Sequence, residues 1–483
     1  MYPLLWSTIL IPAVFMPIVY LIGRRIGNRV GWIALIPMLY SLLVLLLYTP
    51  MIMGGDVYVE RFEWVPKVYF GVLLDGVSLP VCLTISLVSL LVILYSIPYM
   101  GYELREGFGT YYAIYLIYVA SMLGVALSTN LFEFYFFFEL MIIPPWALIN
   151  LYGYRNRRRV ALTFLLWSIA GAVVLSVGLM GAYNYIGSFE IADLSKLGGE
   201  ARWIMIALLL GFLIKLGAFG FHLWLPDTYS EAPTPIAALL SSAMTGLAAY
   251  GMVRLMTPIH QYLVEVGWLI LIWGFVTMAY GGAMALAQDD LRRLIAYSSM
   301  SQMGYLIVGV ASVTVLGLSG SILQYLSHGL GKAILFLIAG NLLLRTGLRD
   351  MREMGGLAVR MPLSAAAFLI GCLTLAGIPP TIGFTSKWML FIGVVEEGLS
   401  SPLHLAIAVS TILSTILTIA YGFWAMRRIF YGPIPKGLSD VEEAPPLMTA
   451  IVLLLGALSI LMGIYPKPIT EPLLRVIESA MGG

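Results

Sequence analysis

Four charged side chains lie inside long apolar stretches of the sequence: Glu139, Lys215, Lys332 and Lys387. A charge near the centre of a bilayer costs roughly 2.5–3.5 kcal/mol on insertion scales, so each one needs a reason to be there. One interpretation is two buried ion pairs that only hold helices together. The interpretation we favour is a relay that passes charge along the middle of a membrane.

The residue types suit such a relay. A buried lysine releases its proton more readily beside another cation and holds it more tightly beside a carboxylate. Glu139 would then be a switchable carboxylate that pairs with Lys215 in one state and releases it in another. His328 precedes Lys332 by four residues, which places both on one helix face. A lone buried histidine is usually a satisfied core residue, but beside Lys332 we expect His328 to join the relay.

The composition sets these residues in a membrane protein. Of 483 residues, 60% are hydrophobic and 11% charged, and the mean hydropathy is +0.94. A soluble domain carries about 45–50% apolar and about 25% charged residues. The net charge of +2 gives no basis for binding nucleic acid. Asn and Gln together number 10, a depletion typical of heat-adapted sources.

No redox or nucleotide chemistry is encoded in the chain. Cys82 and Cys372 are too far apart in sequence for a CxxC pair, and the four histidines show no metal-ligand spacing. No haem, iron–sulfur or dinucleotide signature is present. We therefore expect no metal and no cofactor in this chain.

Fourteen apolar runs are long enough for a helix to cross a bilayer core of ~30 Å. The first begins at residue 3 without a cleavable signal pattern, so we expect it to be retained. The predicted spans are 3–22, 31–49, 71–98, 111–128, 130–153, 160–186, 203–222, 235–256, 263–287, 293–313, 316–344, 362–392, 401–428 and 446–465.

The basic residues predict the orientation. Segments after the odd-numbered helices hold 17 Lys and Arg residues, against seven on the other side. Because positive loops stay in the cytoplasm, both termini are predicted outside the cell. The cluster from Arg155 to Arg159 is then interpreted as a topology anchor, a basic loop that stays on the cytoplasmic side and fixes the orientation of the helices in the cytoplasmic membrane.

Helix breakers recur at matching places. Helices 4–8 and 9–13 form two sets of five, and the fourth helix of each set is interrupted by glycines and prolines beside Lys215 or Lys387. Five is odd, so the second set enters from the opposite side, as in an inverted repeat whose broken helices mark an ion site. The predicted organisation is N-terminal helices 1–3, two five-helix repeats, and a C-terminal loop with helix 14; the boundaries are 1–110, 111–256, 263–428 and 429–483.

Several sequence strings resemble the antiporter-like subunits of respiratory complex I, membrane-bound hydrogenases and Mrp-type sodium/proton antiporters. The most specific is Lys215-Leu-Gly-Ala-Phe-Gly-Phe-His222-Leu-Trp-Leu-Pro-Asp227, followed by Glu231-Ala-Pro-Thr-Pro235. The others are Phe136-Phe-Phe-Glu139-Leu, Gln288-Asp-Asp-Leu-Arg-Arg-Leu-Ile-Ala-Tyr-Ser-Ser299, His328-Gly-Leu-Gly-Lys332, Ala376-Gly-Ile-Pro-Pro-Thr-Ile-Gly-Phe-Thr-Ser-Lys387-Trp and Asp75-Gly-Val-Ser-Leu-Pro80. Together they run from residue 75 to 388 in the order expected for the family.

The resemblance implies an all-α fold of fourteen helices with one half-channel in each inverted repeat. Glu139 and Lys215 would form the coupling pair of the first half. Lys332 and His328 would belong to the central and second-half axis, and Lys387 would be the terminal lysine facing the exit.

The resemblance also implies partners. The first hypothesis is an ion-pumping subunit of a larger oxidoreductase, such as a membrane-bound hydrogenase, a sulfur-reducing complex or a quinone-type complex I. Iron–sulfur or other metal centres would then lie only in partner subunits. The second hypothesis is a subunit of an Mrp-type sodium/proton antiporter without a redox partner. An independent solute carrier is disfavoured because no midplane site for an organic substrate is evident.

One position departs from the family. Many members carry a lysine in helix 8, where this sequence has Gly246. The relay therefore lacks a titratable group at this position, and one interpretation is that ordered water bridges the gap. Ordered water needs several polar partners. The candidates to hold it here are Ser241, Ser242, Thr245 and Tyr250. The open alternatives are charge transmission without conduction of a full proton, and conduction of sodium by another path.

The remaining acids lie near helix ends. Asp75, Asp227, Glu231, Asp289 and Asp290 are interpreted as half-channel mouths or structural charges, with Arg292 and Arg293 as candidate partners of the last four. Glu133 lies six residues before Glu139, about 240° around the helix. Two interpretations of Glu133 are open, a solvated charge at the helix start and a contact to a neighbouring subunit.

Overall fold

A computed structural model describes residues 4–65, 68–103 and 106–482. It is a helical bundle with one β-hairpin. The hairpin strands are β1 Tyr58–Val65 and β2 Val68–Leu74, paired antiparallel with Tyr58 opposite Leu74. The helices are α1 Ser7–Ile26, α2 Val30–Met53, α3 Ser78–Glu103, α4 Phe108–Leu127, α5 Leu131–Leu140, α6 Ile143–Tyr152, α7 Arg157–Ile186, α8 Ala201–Leu216, α9 Leu225–Glu231, α10 Thr234–Leu239, α11 Leu247–Met256, α12 His260–Leu286, α13 Leu291–Ala311, α14 Val315–Thr346, α15 Pro362–Ala376, α16 Ile382–Gly398, α17 Pro402–Leu413, α18 Thr415–Phe430, α19 Pro446–Ile464 and α20 Lys467–Ala480.

Ten helical stretches of the described chain are long and apolar enough to cross a membrane. Helices at the periphery expose apolar side chains, with Leu166, Val173 and Ile416 all more than half exposed. Such a surface is stable only against lipid or another protein. The multi-pass membrane architecture expected from composition is therefore confirmed.

The centre of the bundle is α14, which is buried without interruption from Gly317 to Leu342. Helices α3 and α13, which pack against it, and α4, which packs against α3, are also largely buried. These central helices contain serine, glutamine, histidine and lysine besides their apolar residues. Polar groups thus occur where the protein, and not lipid, surrounds the helix.

Two helices stop in mid-bundle beside a lysine. Helix α8 ends at Leu216 and helix α15 at Ala376, and each is followed by a glycine in the left-handed conformation, Gly217 at φ 65° and Gly377 at φ 76°. The absence of a Cβ makes this conformation accessible to glycine. A third interruption, between α5 and α6 at residues 141–142, follows Glu139 and was not predicted.

Two elements differ from the sequence prediction. Residues 71–74, assigned to the start of the third span, belong to strand β2, and helix α3 begins only at Ser78. Residues 467–480, described only as part of a C-terminal segment, form the amphipathic helix α20, which buries Leu473 and Ile477. The hairpin and α20 cover one end of the bundle, which we call the hairpin end. Neither element has the 18 or more apolar residues that identify a span.

Asp75 is a structural charge at the hairpin end. Its Oδ1 accepts the N–H groups of Val77 and Ser78, which caps the start of α3, while Oδ2 accepts Arg254 Nη1 at 2.6 Å. Burial on its own would raise the pKa of Asp75, but the Arg254 guanidinium and the Ser78 donors together hold that pKa below its ordinary value. The pair ties α3 to α11.

Removing one partner of this pair should destabilise the protein strongly. Arg254→Met leaves the buried Asp75 carboxylate without its cation, a change that costs about 3–5 kcal/mol in buried pairs. Thermal unfolding of the detergent-solubilised protein measures it. The matched control is Arg202→Met, because Arg202 forms a solvent-exposed pair with Glu265 and should leave the melting temperature unchanged. Equal losses in both variants would show that Asp75 does not depend on Arg254.

Candidate functional site

The Glu139–Lys215 pair lies where two helices end. Glu139 is in the last turn of α5, and Lys215 is in the last turn of α8. Lys215 Nζ is 3.7 Å from Glu139 Oε1, which is close enough for an ion pair but too long for a hydrogen bond. The ammonium also lies 5.0 Å from the centre of the Phe138 ring. Lys215 is thus attracted to the carboxylate without being tightly bound to it.

Glu139 is accessible from the side of the bundle. Its side chain is 29% exposed, whereas that of Lys215 is 5% exposed. A cavity of about 500 Å³ opens beside the carboxylate, and its other walls are aromatic or aliphatic, including Phe136, Leu165 and Ile169. The pair therefore connects a buried lysine with the apolar outer face of α5 and α7.

Lys332 is fully buried and has no carboxylate partner among the described residues. Its ammonium donates to the carbonyl of Ile295 at 2.9 Å and to the hydroxyl of Ser298. One turn earlier on α14, His328 Nε2 lies 3.1 Å from the carbonyl of Ser241, and its Nδ1 has no hydrogen-bond partner. The structure thus gives Lys332 and His328 separate partners on α13 and on the turn after α10.

Lys387 is also held without a carboxylate in the described part of the chain. Its ammonium is 3.4 Å from the carbonyl of Ala376, at the end of α15, and 3.9 Å from the centre of the Tyr305 ring. The last carbonyls of a helix lack partners within the helix. Among the described residues, Lys215 is the only one of the three deep lysines with an acid beside it, so the alternative of two buried ion pairs does not describe this arrangement.

A chain of uncharged polar groups runs from Ser298, the partner of Lys332, to Ser386, the residue before Lys387. Gln302 donates to Tyr421 at 3.1 Å, Gln324 donates to Gln302 at 2.9 Å, and Ser386, next to Lys387, donates to Gln324 at 2.7 Å. At the other end, Tyr421 interacts with Ser298, the partner of Lys332. Sequence reasoning missed these residues. The signal was the unusually polar run from Tyr297 to Gln302 inside the apolar span α13.

Between the two halves, hydroxyl groups cross from helix to helix. Ser241 and Ser299 share a hydrogen bond of 3.0 Å, and Thr245 shares one with Tyr229. Residues Leu240–Met244 form a π-helical turn, a feature often found at functional sites. Ser241 and Thr245 therefore bond to groups on other helices, as a bridging role requires.

The other two candidates for holding water bond elsewhere. Ser242 donates to the carbonyl of Ala238 in the preceding turn, and Tyr250 donates to the carbonyl of Ala126 in α4. At Gly246, the ring of Tyr325 occupies the space that a side chain would need. The space at the position where many family members carry a lysine is thus filled by the aromatic ring of Tyr325 from α14.

The predicted loop acids are engaged with arginines at the end of the bundle opposite the hairpin. Asp227 pairs with Arg293 at 2.7 Å, and Asp289 with Arg428 at 2.6 Å. Glu231 is 3.8 Å from Arg349, and Asp290 accepts the backbone N–H of Arg293 to cap α13.

The expected role of Arg292 as an ion-pair partner is wrong. Its guanidinium is buried and donates to Thr234 and to the carbonyls of Tyr229 and Ala232, with the Tyr154 ring 4.8 Å away. Both carbonyls lie at the end of α9, which packs against α13.

Both interpretations of Glu133 are wrong as well. The side chain is neither solvated nor available to another subunit, because it is fully buried. The hairpin covers Glu133, since the N–H of Gly71 in β2 donates to the Glu133 carboxylate at 3.2 Å. The pattern of apolar spans does not predict this hairpin.

Comparisons with known proteins agree with this architecture. Residues 128–416 match the family model described as the NADH:quinone oxidoreductase/Mrp antiporter membrane region, and residues 65–112 match that of the complex I chain 5 N-terminus. The chain belongs to this family. A relative, F(420)H(2) dehydrogenase subunit M of Methanosarcina mazei, is 32% identical over 87% of this chain and 86% of its own. NADH-quinone oxidoreductase subunit N of Desulforudis audaxviator is 31% identical over 86% of each chain.

Solved structures of the family share the fold. A chain of respiratory complex I from Thermus thermophilus superposes with a TM-score of 0.88 at 28% identity, covering 99% of this chain and 100% of its own. A chain of the archaeal membrane-bound sulfane sulfur reductase gives 0.85 at 26% identity, covering 95% and 76%. A chain of the Mrp complex from Dietzia sp. gives 0.89 at 22% identity, covering 99% of each, and shows the fold alone.

The packing at Gly246 predicts a stability effect. An alanine Cβ there would overlap the Tyr325 ring, and overpacking of a tight core costs about 1–3 kcal/mol. Gly246→Ala should therefore lower the melting temperature of the purified protein, although alanine favours a helix. Gly199→Ala is the control, since no heavy atom lies within 4 Å of a Cβ at that position. A Gly246→Ala variant as stable as the control would mean that Tyr325 yields freely.

Proposed function

We propose that this chain translocates protons through a relay of Glu139, Lys215, His328, Lys332 and Lys387, as the ion-pumping subunit of a multisubunit membrane oxidoreductase. The observation that carries the proposal is the loose ion pair between Glu139 and Lys215, 3.7 Å apart and without a hydrogen bond. A pair held this way separates at little cost when a neighbouring charge changes. The two other lysines, which no described carboxylate pairs, can respond to that change in turn.

The proposed architecture is fourteen spans in which the predicted spans 4–8 (residues 111–256) and 9–13 (residues 263–428) are inverted repeats. Residues 1–110 precede the repeats and residues 429–483 follow them. Both termini would lie on the outer side of the cytoplasmic membrane. The paired breaks after α8 and α15 support the repeat, because Lys215 lies in the last turn of α8 and the ammonium of Lys387 lies beside the last residue of α15. The acids Asp227, Glu231, Asp289 and Asp290 would then line the cytoplasmic mouths.

The proposed path runs through hydroxyl and amide groups between the charges. In the second half it follows the hydrogen-bonded chain from Ser298 to Ser386. Between the halves it passes the hydroxyls of Ser241, Ser299, Thr245 and Tyr229, with water completing the contacts that Gly246 leaves open. Conduction of sodium, or charge transmission without a complete proton path, is the alternative that ion-replacement measurements decide.

Energy for pumping would come from partner subunits. Moving one charge against 100 mV costs about 2.3 kcal/mol, and we expect iron–sulfur or metal centres to lie only in those partners. The relatives above 30% identity are named as dehydrogenase or quinone oxidoreductase subunits, which favours a redox complex over an Mrp-type exchanger. Identification of the subunits that copurify with the intact assembly distinguishes these two alternatives.

The coupling pair provides the main test. Glu139→Gln and Lys215→Ala each remove one charge of the pair, so ion pumping in membrane vesicles should fall to the level of a strain lacking the subunit, while the complex still assembles. The control Glu265→Gln changes an exposed acid and should pump normally. Normal pumping in both pair variants would eliminate the relay.

The amide chain gives a second test. Gln302→Leu keeps the size of the side chain but removes its hydrogen bonds to Tyr421 and Gln324. Pumping should fall although Glu139 and Lys215 are intact. The matched control is Ser301→Ala, because the Ser301 hydroxyl bonds the carbonyl of Met278, away from the chain. If Gln302→Leu pumps as well as Ser301→Ala, the path does not run through Gln302.

A further inference from the structure

A polar cavity of about 400 Å³ lies between the start of α7 and helix α9, at the end of the bundle opposite the hairpin. Asn156, Arg159 and Thr163 line it from the α7 side, at the three- and four-residue spacing that puts side chains on one helix face. The facing wall includes the acids Asp227 and Glu231 of α9. Neither Asn156 nor Arg159 has a part in the relay described above.

The charges on the two walls are not equally compensated. On the α9 wall, Asp227 pairs with Arg293 at 2.7 Å, and Glu231 lies 3.8 Å from Arg349. On the α7 wall, the guanidinium of Arg159 and the side-chain amide of Asn156 form no hydrogen bond or ion pair with any residue that the structure describes. The α7 wall therefore carries an uncompensated positive charge and free N–H donors.

The sequence around Arg159 adds to this charge. Arg155, Arg157 and Arg158 are also exposed and have no acidic partner among the described residues. The stretch 140–189 contains no Asp or Glu. A role as topology anchor accounts for the number of positive charges in the cluster, but not for a cavity beside one of them. An anion in the cavity would supply the partner that Arg159 lacks.

The outer face of α7 beyond the cluster is apolar. Leu162, Leu166, Ile169 and Val173 are exposed and recur every three or four residues, which forms a stripe along the helix. The stripe is about 16 Å long at 1.5 Å per residue, comparable with one leaflet of a hydrocarbon core of ~30 Å. Leu223 lines the cavity and is itself 63% exposed. The cavity thus has an apolar, outward-facing edge, and Arg159 lies three residues before the start of the stripe.

We propose that this cavity binds the headgroup of an anionic phospholipid. Its phosphate accepts N–H groups from Arg159 and Asn156, and its acyl chains lie along the stripe from Leu162 to Val173. A guanidinium can donate two parallel N–H bonds to a phosphate, and basic pockets between membrane helices on the cytoplasmic side bind such headgroups. The orientation predicted from the basic residues places this end of the bundle in the cytoplasmic leaflet. The site goes beyond the proposed function, because it does not depend on whether the chain conducts ions.

The variant Arg159→Gln tests this on the purified full-length chain, titrated with phosphatidylglycerol in detergent. The phosphatidylglycerol concentration that gives half of the maximal thermal stabilisation should rise about tenfold or more, because a charge-assisted hydrogen bond is lost. Phosphatidylcholine, which has no net charge, should give no saturable stabilisation of either protein. Without lipid, the melting temperature of Arg159→Gln should equal that of the wild type, since Arg159 has no partner in the described part of the chain.

The matched control is Arg158→Gln, which removes the same charge one residue away from a side chain that does not line the cavity. Its half-maximal concentration should stay within about twofold of the wild type, since exposed charges are largely screened by salt. Three arginines of the cluster remain in each variant, so the orientation in the membrane is preserved. Equal weakening in the two variants, or unchanged binding in Arg159→Gln, overturns the site.

Inorganic phosphate distinguishes a lipid site from a site for free anions. Stabilisation of the wild type, but not of Arg159→Gln, by phosphate alone would overturn the assignment to a lipid. Lipid extraction from the assembled complex tests whether a neighbouring subunit fills the cavity instead. The wild-type complex should retain more phosphatidylglycerol than the Arg159→Gln complex, and equal amounts in the two would overturn the proposal.

Discussion

An ammonium group inside an apolar bundle is stable only where the protein itself replaces water around it. The three deep lysines meet this constraint in three ways. Lys215 faces a carboxylate, Lys332 donates to a carbonyl and a hydroxyl, and Lys387 lies against a tyrosine ring near a carbonyl. Neutral partners and a long ion pair stabilise a charge less than a short salt bridge does. The same groups that make these lysines tolerable therefore leave them responsive to charges nearby.

Interrupted helices make this possible. A regular helix uses its carbonyls internally, so a lysine in mid-membrane finds few free acceptors. The end of α15 offers the carbonyl of Ala376 to Lys387, and the π-helical turn after α10 offers the carbonyl of Ser241 to His328. The glycines after α8 and α15 permit the chain to turn there. Breaks in secondary structure thus provide acceptors for Lys387 and His328, whereas Lys332 bonds a carbonyl inside the unbroken helix α13.

The ends of the bundle restrict access to this interior. At the hairpin end, Arg254, which pairs with Asp75, lines a small cavity together with the hairpin and α20. At the opposite end, acids and arginines form a solvent-facing network around Asp227 and Asp289. Glu139 instead opens to the side, onto an apolar surface. Such a surface in a family of multisubunit membrane proteins is suited to contact with a neighbouring subunit.

The sequence by itself determined the membrane-spanning character, the deep positions of Glu139 and the lysines, and the breaks beside Lys215 and Lys387. These are properties of local segments, because insertion cost depends on nearby hydropathy and because glycine and proline act on their own backbone. Tertiary structure alone decided the partners. Gln302 meets Tyr421, Gly246 meets Tyr325 and Glu133 meets Gly71 across long stretches of chain. A hydrogen bond or a steric contact depends on positions within a few tenths of an ångström, which only the packing of distant helices and of the hairpin determines.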